Sequence, residues 1–140
     1  MEIINTKWGL NSYLELKSKH VVTDADYRDV LKPDVMLLLK FPGDEKFRQA
    51  KFWSVAEDHN KNIIGCCYKM KWHQIGNGCV QLRLLVMIRN TQCFLCEAYV
   101  KENSKTDKRK LAKFKVYAEL IKKGQYTICG RWSNNNESAA

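Results

Sequence analysis

The sequence predicts an α+β domain in which an antiparallel sheet of three strands, or slightly more, carries helices packed on one of its faces. The first observation is the alternation of apolar residues over positions 80–88, which is typical of a strand. The second is the apolar stretch 93–100, which follows a short turn and can pair back on the preceding strand. The third is an apolar stripe at helical spacing over residues 111–121.

Length and composition are those of one folded domain with room for a short extension. The chain has 140 residues, of which 45% are apolar and two are proline, and this excludes a generally disordered, collagen-like or proline-rich linker protein. The longest strongly apolar stretch, residues 35–39, is far shorter than the roughly 20 residues that a membrane-spanning helix requires. The first residues show no secretory signal. We therefore expect a cytoplasmic or nuclear protein with no membrane span.

Residues 1–43 are predicted to form an N-terminal extension that is mainly helical. Apolar spacing over residues 10–16 suggests a short helix, and the run 23–26 can cap a second one. Pro33 is expected to end that second helix, because the residue before a proline avoids the helical region. Residues 35–41 fit either a buried strand or a short buried helix, which periodicity cannot distinguish.

A helix is predicted over residues 45–58, with Asp44 as its N-cap. A strand over residues 51–57 is the alternative. Three strands are expected next, over residues 63–72, 80–88 and 93–100, with a glycine-containing loop at 73–78 between the first two.

The best helix of the sequence is predicted over residues 108–123 and is closed by Gly124, which suits a left-handed cap. Residues 126–132 then suggest a final strand, and residues 133–140 a frayed polar tail. The predicted organisation is an extension over 1–43, a domain over 44–124, and a C-terminal strand and tail over 125–140.

Positive charge is concentrated in one part of the chain. The net charge is +9, and the segment 101–123 holds nine basic and three acidic residues, so that it contributes +6. A polyanion is the natural partner of such a cluster, because each neutralised phosphate releases condensed counterions. The alternative is a solvated lysine-rich face that keeps the protein soluble.

The order of residues inside the basic segment resembles a known family. Residues 109–113 (RKLAK) are similar to the K-K-x-A-K start of the last helix in double-stranded RNA-binding domains, and the predicted α-β-β-β-α order of residues 44–124 is the order of that domain. The resemblance is that of a degenerate member. Residues 101–106 (KENSKT) lack the family's glycines, and Val116 and Tyr117 replace its alanine pair.

The resemblance implies a non-enzymatic protein that recognises double-stranded or structured RNA by shape. The last helix would direct its N-terminus at phosphates, the loop 72–78 would enter the minor groove, and the helix predicted over 45–58 would contact 2′-hydroxyls. Trp72 is a further candidate, because it could stack on unpaired bases. The implied RNA-binding residues are Lys105, Lys108, Arg109, Lys110, Lys113, His73, Trp72, Lys46, Gln49 and Ser54.

Six cysteines raise the question of a metal site or disulfides. Cys93 and Cys96 have the C-x₂-C spacing of zinc ligands, but in a strand an offset of three places the two thiols on opposite faces. We therefore expect mostly buried, reduced thiols and no cofactor. The sequence contains no H-E-x-x-H motif, P-loop or dinucleotide fingerprint, and we expect no enzyme.

Two other functions are compatible with the sequence. A degenerate domain of this fold could act in protein–protein interaction or dimerisation, through the sheet, the last helix or residues 1–43. A small viral accessory or matrix-like protein could instead bring the same lysines to an anionic membrane. A short RNA-binding chain would also suit a suppressor of RNA silencing.

Overall fold

The computed structural model describes residues 1–134, which fold around one six-stranded mixed sheet. The strands are β1 (Glu2–Thr6), β2 (Trp53–Glu57), β3 (Ile63–Ile75), β4 (Val80–Arg89), β5 (Gln92–Val100) and β6 (Ile128–Trp132). The α-helices are α1 (Lys7–Ser18), α2 (Asp24–Asp26), α3 (Lys32–Met36) and α4 (Ser104–Lys122). A π turn covers Tyr27–Leu31, and 3₁₀ turns cover Leu37–Lys40 and Glu45–Arg48.

The strand order is β2-β3-β4-β5-β1-β6. The expected antiparallel meander forms β3, β4 and β5, but it is the centre of a larger sheet. β1 pairs in parallel with β5 and antiparallel with β6. The expected three-stranded antiparallel sheet is therefore replaced by a mixed sheet of six strands, because both ends of the chain join it.

Helices cover both faces of this sheet, not one face as the sequence predicted. On β4, Leu82, Leu84 and Val86 pack under the N-terminal helices, whereas Leu85 and Met87 pack under α4. Apolar residues at the odd positions of this strand are the sequence signal for a sheet buried on both sides.

Residues 1–43 are an integral part of the fold, and their expected role as an extension is wrong. Ile3 and Ile4 of β1 are both fully buried, on opposite faces of the sheet. Thr23 caps α2 as expected, in a reciprocal capping box with Asp26. Pro33 lies in the first turn of α3 and does not end the helical run, because a missing N–H costs nothing at that position.

The helix predicted over residues 45–58 is also wrong. Asp44 does act as an N-cap, but only of the 3₁₀ turn Glu45–Arg48. The chain then enters β2, in which Trp53 pairs with Met70 and Val55 with Tyr68 of β3. Aromatic and β-branched residues favour this pairing. The α-β-β-β-α order expected for residues 44–124 is therefore not observed, because four strands and no α-helix precede α4 within this range.

The final helix agrees best with the prediction, although α4 begins four residues earlier than expected. Asn103 is its N-cap and accepts the N–H of Thr106. Beyond its end Gly124 has a φ of 72°, as expected for a left-handed cap. The predicted final strand is present as β6, and residues 135–140 of the predicted tail lie outside the described part of the chain.

Candidate nucleic-acid interface

The first turns of α4 present the basic residues that the sequence singled out. Lys105, Lys108 and Arg109 are exposed, and no acidic side chain within residues 1–134 pairs with any of them. The helix begins with N–H groups that have no acceptor inside the helix, of which Asn103 satisfies that of Thr106. These three cations and this helix start together form an anion-attracting surface.

Glu97 pairs with the other two predicted phosphate ligands and offsets one of their two positive charges. This carboxylate on β5 is only 3% exposed, and Lys110 Nζ lies 3.0 Å from its Oε2. Lys113 Nζ lies 3.4 Å from Oε1 of the same carboxylate and also approaches the ring of Tyr117. Sequence analysis missed Glu97, although one acidic residue inside the apolar stretch 93–100 was the available signal.

Asp107 fastens the start of α4 to the sheet. The hydroxyl of Tyr99 donates to one oxygen of Asp107, and Lys69 Nζ lies 3.4 Å from the other. Burial, and then the hydrogen bond to this carboxylate, raise the pKa of Tyr99, so the phenol stays protonated. Asp107 therefore has a structural role, and Lys69 adds little free charge to the surface.

The end of the sheet beyond the start of α4 supplies further cations. The strand register places Lys71 beside Arg83 and Arg83 beside Tyr99, with Lys101 two residues further along the chain. Burial, and then the charges of Lys69, Arg83 and Lys101, lower the pKa of Lys71. Such mutual repulsion favours a bound anion. Arg83 itself is 4% exposed and donates to Gln81 and to the Leu82 carbonyl.

We use the name basic surface for the accessible part of this region. It combines the exposed cations of α4 with those of the adjacent sheet end. Its members are Lys71, Lys101, Lys105, Lys108 and Arg109.

Comparison with protein-family models, with curated proteins and with solved structures gives no match. The ligand of the basic surface is therefore inferred from the geometry and charge of that surface.

Trp72 lies in the core and cannot stack on a base, so its assignment to the interface is corrected. It is 7% exposed, and its indole N–H donates to Asp34 Oδ2 at 2.8 Å. The sequence placed a loop at 72–78, but β3 continues to Ile75 and carries Trp72 into the core. If the predicted strand had been extended past residue 72, period-two alternation would have placed Trp72 on the buried face of the sheet.

The loop after β3 is tethered to the N-terminal part of the chain by Asn77. Asn77 bonds to the carbonyl oxygens of Val21 and, at 2.6 Å, of His20. His73 is exposed, and its Nε2 lies 2.8 Å from the carbonyl oxygen of Lys51. By strand alternation it shares the face of Lys69 and Lys71, so it lies on the side of the sheet that carries α4.

The three residues assigned to the first helix are not brought together as a helix face. Lys46 pairs with Asp34 at 2.7 Å and lies over the ring of Phe52, among the helices on the opposite side of the sheet. Gln49 is exposed after the 3₁₀ turn, and Ser54 lies on β2 beside Lys69. Lys46 therefore does not extend the basic surface.

The cysteines form no shared centre. Cys93 packs with the N-terminal helices and Cys96 with α4, on opposite faces as their offset predicted. Three thiols are buried and three exposed, fewer buried than expected, and burial raises the pKa of Cys67 to about 12. Residues 1–134 contain no group of three or more His, Cys, Asp or Glu side chains that could hold a metal ion.

None of the helices within residues 1–134 has the length and apolar character that a membrane-spanning segment requires.

Proposed function

We propose that this protein binds double-stranded or structured RNA, without catalysing a reaction, through the basic surface. The observation that carries the proposal is the set of three exposed cations on the first turns of α4, none of which is neutralised within residues 1–134.

The geometry favours contacts with the phosphate backbone. Lys105 and Arg109 are separated by about one helical turn, or roughly 6 Å along the axis, with Lys108 beside them. Helix N–H groups and the helix dipole add to these charges. Since none of these groups reads base edges, recognition is expected to follow shape and charge with little sequence preference.

The proposal is narrower than the one that the family resemblance implied. Lys110 and Lys113 are held by Glu97, Trp72 is buried, and Lys46 lies on the other side of the sheet. The contact is thus expected to involve α4 and the adjacent sheet end, together with His73, which is exposed on the same face.

The test is a triple substitution of Lys105, Lys108 and Arg109 by alanine. Fluorescence anisotropy with a labelled RNA duplex, at several salt concentrations, should show weaker binding and a salt dependence reduced by about one unit of slope per cation removed. The matched control replaces Lys40, Arg48 and Lys123 by alanine. These residues are also exposed, and they lie away from the start of α4. Their replacement removes the same total charge, so this variant should keep most of the affinity for the RNA duplex.

Equal loss of affinity in both triple variants would contradict the proposal, since net charge alone would then explain binding. Unchanged affinity of the first variant would contradict it as well. Single-stranded RNA, duplex DNA and anionic liposomes serve as competitors. Preference for liposomes over RNA would favour the membrane alternative.

A further inference from the structure

An open cavity of about 180 Å³ lies between the sheet and the N-terminal helices, on the face of the sheet away from α4. Leu82, Leu84 and Leu95 line it from the sheet, and residues of α1 and of the helical segment 27–36 line it from the other side. Leu14, which also lines the cavity, is 47% exposed, so the cavity opens to solvent beside this residue. A small molecule can therefore reach the cavity from solvent.

The size and lining of the cavity fit one aromatic ring. An engineered apolar cavity of about 150 Å³ holds benzene, and four aromatic residues line the space here, Tyr13, Tyr27, Trp72 and Trp132. Aromatic rings favour offset or edge-to-face contacts with one another, and these contacts add to the free energy gained from the area that they bury. The apolar part of a ligand is therefore expected to be a single ring.

Lys32 is the one charged residue among the sixteen described residues that line this cavity. It is partly exposed, and no carboxylate within residues 1–134 forms an ion pair with it. The acidic residues nearest to it along the chain are already paired, Asp29 with Arg28 and Asp34 with Lys46. In a mostly apolar cavity, a single charged group of this kind fixes the orientation of a ligand of opposite charge.

Two acidic residues oppose an anion at the Tyr13 side of the cavity. Asp24 and Asp26 contribute to the raised pKa of Tyr13, after the larger effect of burial. The charge of Asp24 is offset by Lys17, whose Nζ lies 2.8 Å from its carboxylate. The anionic group of a ligand is therefore expected beside Lys32, on the α3 side of the cavity.

We propose that this cavity binds a small aromatic carboxylate, with the ring among the apolar and aromatic residues and the carboxylate paired with Lys32. Because Lys32 is partly exposed, the carboxylate stays partly hydrated, which limits the cost of removing its charge from water. The basic surface lies on the opposite face of the sheet, so this site is separate from the proposed RNA contact.

The probes are 3-phenylpropionate, 3-phenylpropanol and 3-phenylpropylamine, which share a ring and a linker but are negative, neutral and positive at neutral pH. Each is titrated into the ¹⁵N-labelled full chain, and backbone amide and indole N–H resonances are followed by NMR. The carboxylate should bind most tightly and the amine least tightly, with saturable shifts at cavity residues such as Leu31 and Leu95. Shifts confined to residues 105–109 would place the anion on the basic surface and overturn the proposal.

Lys32→Met removes the charge and keeps most of the apolar side chain. The carboxylate should then bind about 2- to 5-fold more weakly, as expected for an ion pair near the surface, while the alcohol should bind nearly as before. Lys40→Met is the matched control, because Lys40 is an exposed lysine close in the chain that does not line the cavity. An equal loss in both variants, or no loss in Lys32→Met, would overturn the assignment of the carboxylate to Lys32.

Ala98→Leu fills the cavity from the sheet, and Val35→Phe fills it from α3. Each should abolish the binding of all three probes, and the thermal transition by circular dichroism shows whether the variant has folded. Val35 is only partly buried, so Val35→Phe is expected to fold even if Ala98→Leu does not. Saturable binding of the carboxylate that persists in a folded variant, or no saturable shift in the wild-type chain, would overturn the proposal.

Discussion

Glu97 changes the chemistry of α4 more than any other single residue. Two of the five cations on α4 that the sequence assigned to RNA lie at 3.0 and 3.4 Å from its carboxylate. Glu97 is buried and the two lysines are partly exposed, so the charges of these ion pairs are less screened by solvent than those of fully exposed pairs. Removing this one negative charge would release Lys110 and Lys113 toward solvent and toward a polyanion.

We expect Glu97→Gln to bind duplex RNA more tightly and with a steeper salt dependence, by about one to two units of slope. The cost should be about 1–3 kcal/mol of unfolding free energy, because a buried hydrogen-bonding site is left with weaker partners. Anisotropy titrations and urea unfolding measure the two effects. Glu119→Gln is the control, since Glu119 is exposed and pairs with Lys122 at the far end of α4. Tighter binding by both variants would refute a specific role for Glu97.

At the scale of elements, helix α1 continues along the edge of β5 beyond the point where strand β1 ends. The strand ends at Thr6, whose hydroxyl donates to the Leu95 carbonyl at 2.7 Å and accepts the N–H of Gly9. One turn later the hydroxyl of Ser12 accepts the N–H of Ala98 at 2.9 Å. Helix α1 thus satisfies a strand edge that would otherwise lack a partner.

This close approach leads to a prediction for Gly9. Glycine to alanine normally stabilises a helix by about 1 kcal/mol, but a Cβ on Gly9 would lie 2.4 Å from the Leu95 carbonyl oxygen. We therefore expect Gly9→Ala to lower the unfolding free energy by about 1–3 kcal/mol. Asn11→Ala, at an exposed position of the same helix, should leave it unchanged or raise it. A Gly9→Ala variant as stable as Asn11→Ala in urea titrations would show that α1 does not pack this closely.

The N-terminal helices and α4 also limit how the protein could associate with other chains. Helices cover the central strands on both faces of the sheet, so an interaction through the sheet would have to use its uncovered end or its edges. The edge strands β2 and β6 remain, and each has five residues. Short edges are less prone to pair with another chain.

For the whole molecule, the position of β1 predicts that residues 1–43 are required for folding. Without them, β5 and β6 lose the strand between them, and the core on one face loses its helical cover. We expect the chain 44–140 to lack a cooperative thermal transition by circular dichroism. A separate peptide of residues 1–43 should restore the transition when added in excess. Native-like unfolding of the truncated chain alone would contradict this account.

Local sequence patterns predicted much of the fold. Alternation located β4, the apolar stretch after a short turn located β5, and helical spacing located α4 with its buried stripe. The same patterns failed for residues 44–58, because a short amphipathic stretch fits a helix and a strand about equally well until a partner strand is present. For the interface, sequence located the basic helix but placed Trp72 on the surface, since the end of β3 was predicted three residues too early.

The sequence by itself determined the α+β class, the central strands, the last helix and the concentration of positive charge, because each depends on residues close together in the chain. Tertiary structure alone decided that β1 enters the sheet, that N-terminal helices form a second layer on one of its faces, and that Glu97 pairs with two lysines. The physical reason is that these features depend on partners far apart in the chain, about 90 residues in the case of β1 and β5. Periodicity shows which residues share a face, but the partners that cover that face are fixed only when the chain folds.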